Sequence, residues 1–475
     1  MPGEGEKTAL ERDAPVVVAG AGLVGCMSAI LLGRRGYDIK VYEGRESWTE
    51  DVNASKGLMG QLSNAKKRSI NLALSHRGLS ALIKVGLADE VLENSVAMHG
   101  RMIHPPGETD HAKTDFQPYD HKAGNHIYSI SREELNQALL DEIATMDNVS
   151  VEYDRKFESM DQDKMTCTLA SGKGVRHTVP AKFCLGADGA FSKVRDLALA
   201  RMERLNFNRE FIAHGYKELS MPPTPSGDFA MSPHALHIWP RGAFMMIALP
   251  NADKTFTCTL FMPFADLDKL TTPQEVSAFF DIHFPDVTAK YGNLMPDFPE
   301  EFFSNPSSPL VNLSCSPWHH SDKLLILGDA AHATVPFYGQ GMNAAFEDAL
   351  RLDEMLSECG DDIAKTFAKY SAEMIPSRLG LSEVSMQNYE EMASKTNSRL
   401  FALKRRIDGL LETMAPQSWI PLYTMVTFTR IPYDEAIRRA KSQDRILSVL
   451  GLATLGAAAL LTLPRLAALA NARLA

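Results

Sequence analysis

The chain has 475 residues, 45% hydrophobic and 23% charged, an ordinary globular composition that excludes disorder as a global description and, at about 100–200 residues per domain, implies more than one domain. Lysine and arginine total 49 against 59 aspartates and glutamates, a net charge of −10, so the surface does not offer the basic face that a phosphate backbone requires. Cys26, Cys167, Cys184, Cys258, Cys315 and Cys359 are scattered without paired or Cys/His-clustered spacing, which argues against a disulfide scaffold and a structural zinc and suits a reducing compartment.

Residues 1–14 are polar, with Glu4, Glu6, Glu11 and Asp13 and no apolar run. They read as a flexible N-terminus that matches neither a secretory signal nor an Arg-rich presequence. Val16–Ala19 then has the pattern of a buried strand, followed by Gly20-Ala21-Gly22-Leu23-Val24-Gly25 and an apolar helix to about Arg35. Gly36 ends that helix, and Ile39–Tyr42 reads as a second strand ending at Glu43. In such a βαβ unit Gly20 permits the tight turn, Gly22 lets a pyrophosphate approach the backbone, and Gly25 allows close helix–strand packing. Glu43, about 20 residues on, can accept hydrogen bonds from a free ribose, which favours FAD or NAD over NADP at this site. No second fingerprint of this kind follows, so a second dinucleotide would have to bind transiently.

Met98–His104 is strand-like and carries Arg101 among apolar neighbours, a setting for a guanidinium held against a fixed anion. Ser131 followed by Glu134 has the spacing of a capping box around Arg132. Phe183–Gly186 reads as a strand leading into the turn at Asp188-Gly189. His237–Trp239, Phe244–Leu249 and Thr255–Phe261 are β-rich runs separated by the turn sequences 240–243 and 251–254. They predict an antiparallel sheet inserted as a second domain. Leu324–Leu327 is another buried strand, feeding Gly328-Asp329-Ala330-Ala331-His332, and a helix follows from Gln340 to Met355. His332 is expected to be structural. Helices continue to the C-terminus, where Ile446–Leu463 is an uncharged run of about 18 residues preceded by Arg438, Arg439, Lys441 and Arg445. As a helix it would span ~27 Å, so a membrane anchor is expected, with a buried terminal helix or an interfacial helix as the alternatives.

Three motifs in this order resemble those of the class A flavoprotein aromatic hydroxylases: Gly20–Gly25, then Asp188-Gly189-Ala190-Phe191-Ser192-Lys193-Val194-Arg195, then Gly328-Asp329 with Pro336 and Gly339–Asn343. The runs Ser69–Gly78, His214–Tyr216, Leu236–Arg241, Phe244–Pro250 and Pro421–Val426 narrow the resemblance to the members of that family that act on L-kynurenine. The resemblance implies an α/β (α+β) chain: a Rossmann-like FAD-binding domain, an inserted antiparallel-sheet substrate domain, and a C-terminal helical region with a membrane-anchor helix. Its expected division is an FAD-binding domain in three parts (15–95, 126–205, 316–375), substrate-domain segments 96–125 and 206–315, a helical region 376–445 and an anchor tail 446–475. The implied reaction uses bound FAD, transient NADPH and O2 to hydroxylate the ring of L-kynurenine at C3. Eukaryotic members are tethered to the mitochondrial outer membrane, with the catalytic domain in the cytosol. A related hydroxylase of another aromatic, or a catalytically silent FAD-binding membrane protein, stays open at this level.

The resemblance also implies site residues. Arg101 would bind the substrate carboxylate, with Tyr119, Asn388 and Tyr423 as polar partners and Glu391 and Met392 beside them. Phe244, Pro336, Phe337 and Tyr338 are candidates for the apolar walls that exclude water. On the cofactor side stand Gly20, Gly22, Val24, Gly25, Tyr42, Glu43, Gly44, Arg45, Ala73 and Phe157. Arg132 would lie near the pyrophosphate and Asp329 would hold the ribityl chain. Asp188 would touch flavin and nicotinamide, and Gly341, Met342 and Asn343 would form a helix start that stabilises charge on the reduced flavin. No side chain is expected to act as acid or base, and no metal is expected.

Overall fold

The computed structural model describes residues 14–46, 71–119, 124–288, 290, 292–392 and 399–449. The expected flexible N-terminus, apart from residue 14, and residues 450–475 of the expected anchor lie outside them.

Val16–Ala19 is flanked by Ile39–Tyr42 and Cys184–Gly186, both parallel to it. The full sheet runs His319–His320, Leu324–Ile326, Cys184–Gly186, Val16–Ala19, Ile39–Tyr42, Val149–Glu152. Its central strands are near-continuous apolar runs because both faces are covered. The helix Leu23–Arg34, buried almost along its whole length, lies in one core with these strands, and so does much of the helix Gly341–Glu358. Segments from the beginning, middle and end of the chain therefore build one sheet, and their turns come together at one end of it.

The middle runs form a sheet as the turn sequences predict. Ala235–Pro240, Met245–Pro250 and Phe256–Pro263 pair antiparallel. The sheet has seven strands, extended on one side by the long strand Asn206–Met221 and by Ser308–Ser316. On the other side Gly100–Ile103 pairs parallel with Ala235–Pro240, setting Arg101 opposite Leu236, and Asp115–Pro118 completes a hairpin. One face packs on the helices Pro273–His283 and Phe298–Ser304 through Phe280, Phe284, Phe298 and Phe302. The other face turns toward the first sheet. Asn206–Met221 was not apparent from the sequence because its first half is mostly exposed and its pairing slips between Phe211 and Gly215, which breaks the period-two signal.

The helix Ile363–Glu390 and the short helix Leu422–Phe428 close the remaining side. Among the described residues no helix is long and apolar enough to cross a membrane. The last described helix, 433–449, ends with Ile446 48% and Val449 65% exposed.

Candidate active site

A cavity of about 410 Å³ runs between the two sheets, from Gly22 at one end to Arg101 and Tyr423 at the other. The Gly22 end is made by backbone. Gly20 has φ +103°, and a Cβ there would lie 2.5 Å from the Ala187 carbonyl oxygen; a Cβ at Gly25 would collide with the Gly20 carbonyl. At Gly22 nothing lies within 4 Å of the same position, so open space faces the first turn of Leu23–Arg34. No side chain caps that helix, leaving its first N–H groups for an anionic ligand. Glu43 accepts from the Ala21 N–H and from the Arg45 N–H and Nε, each at 2.9 Å. Burial works against its charge, but Arg45 and the Ala21 N–H outweigh it and hold the carboxyl below its ordinary range. Tyr42 is buried beside it, and Gly44 leaves room for Lys156, whose Cβ would be 3.3 Å from a Cβ there.

A second uncapped helix start faces the same cavity. Gly341 and Met342, the first residues of Gly341–Glu358, line it together with Val24, Ala73, Arg132 and Asp329. Asn343 is fully buried and braces the turn instead, donating to Ala73 O (2.8 Å) and Gly339 O (3.0 Å) and accepting from the Ser75 N–H (2.8 Å). Asp188 likewise shapes backbone: Oδ2 accepts from the Lys193 and Val194 N–H groups, opening a π-helical turn over Val194–Leu199. Its Oδ1 is buried without a protein partner, and burial raises its carboxyl pKa against those hydrogen bonds. Arg195 of the same motif donates to Ala330 O and Ala190 O, tying the Asp188 turn to the Gly328–His332 turn. His332 is structural, as expected: its Nε2 meets Asp348 Oδ2 at 2.5 Å, and Asp348 also accepts from the Gly328 N–H and pairs with Arg378. Phe157 is 4% exposed within the core of the first sheet and, like Tyr42 and Glu43, does not line the cavity.

At the far end Arg101 is 7% exposed, its guanidinium 4.6 Å from the Tyr423 ring centroid and its Nε without a partner. Tyr119 stacks on Tyr423 at 5.4 Å, and Tyr338 stacks on it at 5.7 Å. Burial disfavours charge on Arg101, but Tyr423, Tyr119 and Glu391 around it raise its pKa. Burial raises the Tyr119 and Tyr338 phenols, which stay neutral. Pro336, Phe337, Tyr338, Asn388, Met392 and Tyr423 all line the cavity, whereas Tyr119 stands behind Tyr423. Asn388 donates to Phe337 O at 2.6 Å and so fixes the aromatic turn. Glu391 lies off the cavity, 3.8 Å from Arg101. Phe244 is a correction: its ring packs on Phe279, His283 and Phe284, on the sheet face away from the cavity. The alternation of its strand explains this, since Met245, Ile247 and Leu249 take the cavity face. The sequence did not disclose which face was which, because 245–249 is apolar at every position and carries no period-two signal. Asn71, Tyr216, Thr257 and Thr259 also line the cavity and were not anticipated.

Two helix starts without side-chain caps, a glycine turn with open space before it and an elongated cavity between them fit a flavin dinucleotide. The FAD binding domain family matches residues 13–374. Two solved structures share the fold: 2-methyl-3-hydroxypyridine-5-carboxylic acid oxygenase in its tetrameric form (TM-score 0.63, 20% identity, 81% of this chain and 94% of that one), and a probable FAD-dependent monooxygenase from Pseudomonas aeruginosa (TM-score 0.62, 18% identity, 80% and 97%). The chain is thus a flavoprotein monooxygenase that binds FAD. Kynurenine 3-monooxygenases are similar over nearly its whole length: that of Sus scrofa at 41% identity (91% of this chain, 88% of that one), of Caenorhabditis elegans at 40% (94% and 97%) and of Flavobacterium psychrophilum at 39% (92% and 94%). It belongs to the kynurenine 3-monooxygenase family.

Proposed function

We propose that the enzyme hydroxylates L-kynurenine at ring C3 to 3-hydroxy-L-kynurenine, consuming NADPH, a proton and O2 and releasing NADP and water. The observation that carries this reading is Arg101: a buried guanidinium with an unpartnered Nε, at the end of a cavity walled by aromatic rings. A carboxylate such as an amino acid carries would satisfy that donor, while Glu391 neighbours the guanidinium at 3.8 Å from off the cavity. Phe337, Pro336 and Met392 would hold the aryl ring in apolar surroundings between Arg101 and the start of Gly341–Glu358.

Bound FAD would lie between the glycine turn and Gly341–Met342, where it supplies the electron transfer and oxygen activation that side chains cannot. The chain's own residues orient and exclude. Gly22 and the N–H groups of Leu23–Arg34 would take the pyrophosphate, Glu43 a ribose, Asp329 the ribityl hydroxyls. The first N–H groups of Gly341–Glu358 would stabilise negative charge on the reduced ring. The neutral phenols of Tyr119 and Tyr338 beside Arg101 add no competing anion there. Purified protein should oxidise NADPH only when L-kynurenine is added, giving a product heavier by one oxygen atom. Equal stimulation by aromatics lacking a carboxylate would overturn the reading.

The run Ile446–Leu463, with Arg438, Arg439, Lys441 and Arg445 before it, supports attachment to an anionic membrane surface from the cytosolic side. In a eukaryotic cell that surface would be the mitochondrial outer membrane; the Flavobacterium relative indicates that the chemistry does not depend on it. Truncation after Asp444 should release the protein from membranes with its FAD retained.

A further inference from the structure

Arg77 belongs to neither end of the cavity, yet it touches the elements that carry both. It is fully buried, on the helix His76–Lys84. Its Nη1 donates to both carboxylate oxygens of Glu347 at 2.7 Å, within the helix whose first residues line the flavin end. Its Nε donates to the Val426 carbonyl at 3.3 Å and its Nη2 to the Ile431 carbonyl. Those carbonyls belong to the segment that presents Tyr423 to the cavity. A parallel route runs beside it: the Tyr433 ring lies 4.1 Å under the Arg77 guanidinium, and its hydroxyl meets Gln340 Oε1 at 3.3 Å, one residue before Gly341.

We infer that Arg77 is a positioning residue for the hydroxylation, a clasp that fixes the Tyr423 wall of the substrate end to the helix that cradles the flavin. An ordinary buried ion pair would engage Glu347 alone, without the Val426 and Ile431 carbonyls. Glu347 also lies 3.2 Å from Arg378 Nη2 and 3.5 Å from Arg430 Nε, but those cations make their shorter pairs with Asp348 and Glu354. Arg77 is thus the main partner of Glu347 as well as the link to the two carbonyls. What Arg77 adds is the planar fork, which reaches carboxylate and two carbonyls at once and which an ammonium cannot reproduce. Spacing between oxidant and ring is the quantity such a clasp controls, and small misplacement there is costly. Its service to the substrate rests on the hydroxylation reading above; the clasp itself does not.

The test is Arg77→Lys in the FAD-loaded full chain, which keeps a cation beside Glu347 and leaves the carbonyls without the fork. Without substrate, amide hydrogen exchange over 422–433 should quicken about tenfold while the strand Val16–Ala19 keeps its protection. With L-kynurenine, KM per bound flavin should rise about fivefold or more, and more peroxide should leave per NADPH consumed. Glu347→Gln, loosening the other end of the same fork, should move the same readouts in the same direction. Unchanged exchange over 422–433 in both variants overturns the clasp. Faster exchange with unchanged KM and unchanged product per NADPH overturns its positioning role, since a purely structural loss would lower melting temperature and flavin content alone. If the parent protein shows no response to L-kynurenine, it is the substrate reading that has failed, and the exchange data decide the clasp.

Discussion

The two ends of the cavity are built by different means. At the glycine end the fit is set by what is missing: absent Cβ atoms at Gly20, Gly22 and Gly25 and absent side-chain caps on two helices. At the tyrosine end it is set by side chains from distant segments, with Arg101, Tyr119, Tyr338 and Tyr423 brought together by tertiary packing. Backbone-made recognition depends on conformation and is local in sequence. Side-chain-made recognition depends on the whole fold and is spread along the chain. Substitutions at the first end should therefore act all or none, and at the second by degrees.

The largest effect is expected at Gly22. Nothing of the protein lies within 4 Å of a Cβ there, so Gly22→Val should fold normally and purify colourless, read by flavin absorbance beside an unchanged circular dichroism spectrum. Full flavin content would dissolve the contrast between the ends. Asp348→Asn tests a buried charge on which the glycine end leans. It should cost about 3–5 kcal/mol by removing the carboxylate that His332 meets and the closer of the two that Arg378 meets. The parent's acid profile follows from the same group. Burial alone would raise the Asp348 pKa, but His332 and Arg378 lower it. Its folded value thus lies below its unfolded one, so its stabilisation is complete above the ordinary carboxylate range near about pH 4 and is lost as pH falls through the depressed value. Melting temperature against pH should show that acid limb in the parent and a flatter one in Asp348→Asn.

At the tyrosine end, Arg101→Ala should weaken substrate binding by about 2–4 kcal/mol, tens- to several-hundred-fold in KM, with FAD content unchanged. The smallest change is expected at Phe244. Because its ring packs on Phe279 and Phe284, Phe244→Ala should lower stability and leave the kynurenine KM within about twofold. A large rise in KM would return Phe244 to the cavity wall.

The same contrast explains what the sequence could disclose. The turn at Gly20–Gly25 and the helix start at Gly341 are each contiguous in sequence, and Gly20 and Gly25 answer steric demands that can be named from the motif. The role of Asp188 was visible only as a motif, because its partners are backbone N–H groups five and six residues on. Arg101 stood out as a cation in an apolar strand, but its stack on Tyr423 spans more than 300 residues of chain and has no local signal. Phe244 was misplaced by one step of a strand's alternation, which a run apolar at every position could not reveal. Asn343 and Asn388 illustrate a general loss: an amide in a motif can serve the ligand or the turn beside it, and only geometry separates the two.

Arg101 lies on the last hairpin of the seven-stranded sheet, Gly100–Ile103 with Asp115–Pro118, joined to the rest by one parallel ladder. Terminal strands tolerate insertion, exchange and loop change better than the middle of a ladder. The flavin cradle is the opposite case, assembled from turns at the centre of a doubly covered sheet. A lineage of such proteins can hold its cofactor constant while drifting in the anion, ring or chain length it accepts, because the selective contact sits on the most replaceable piece of the architecture.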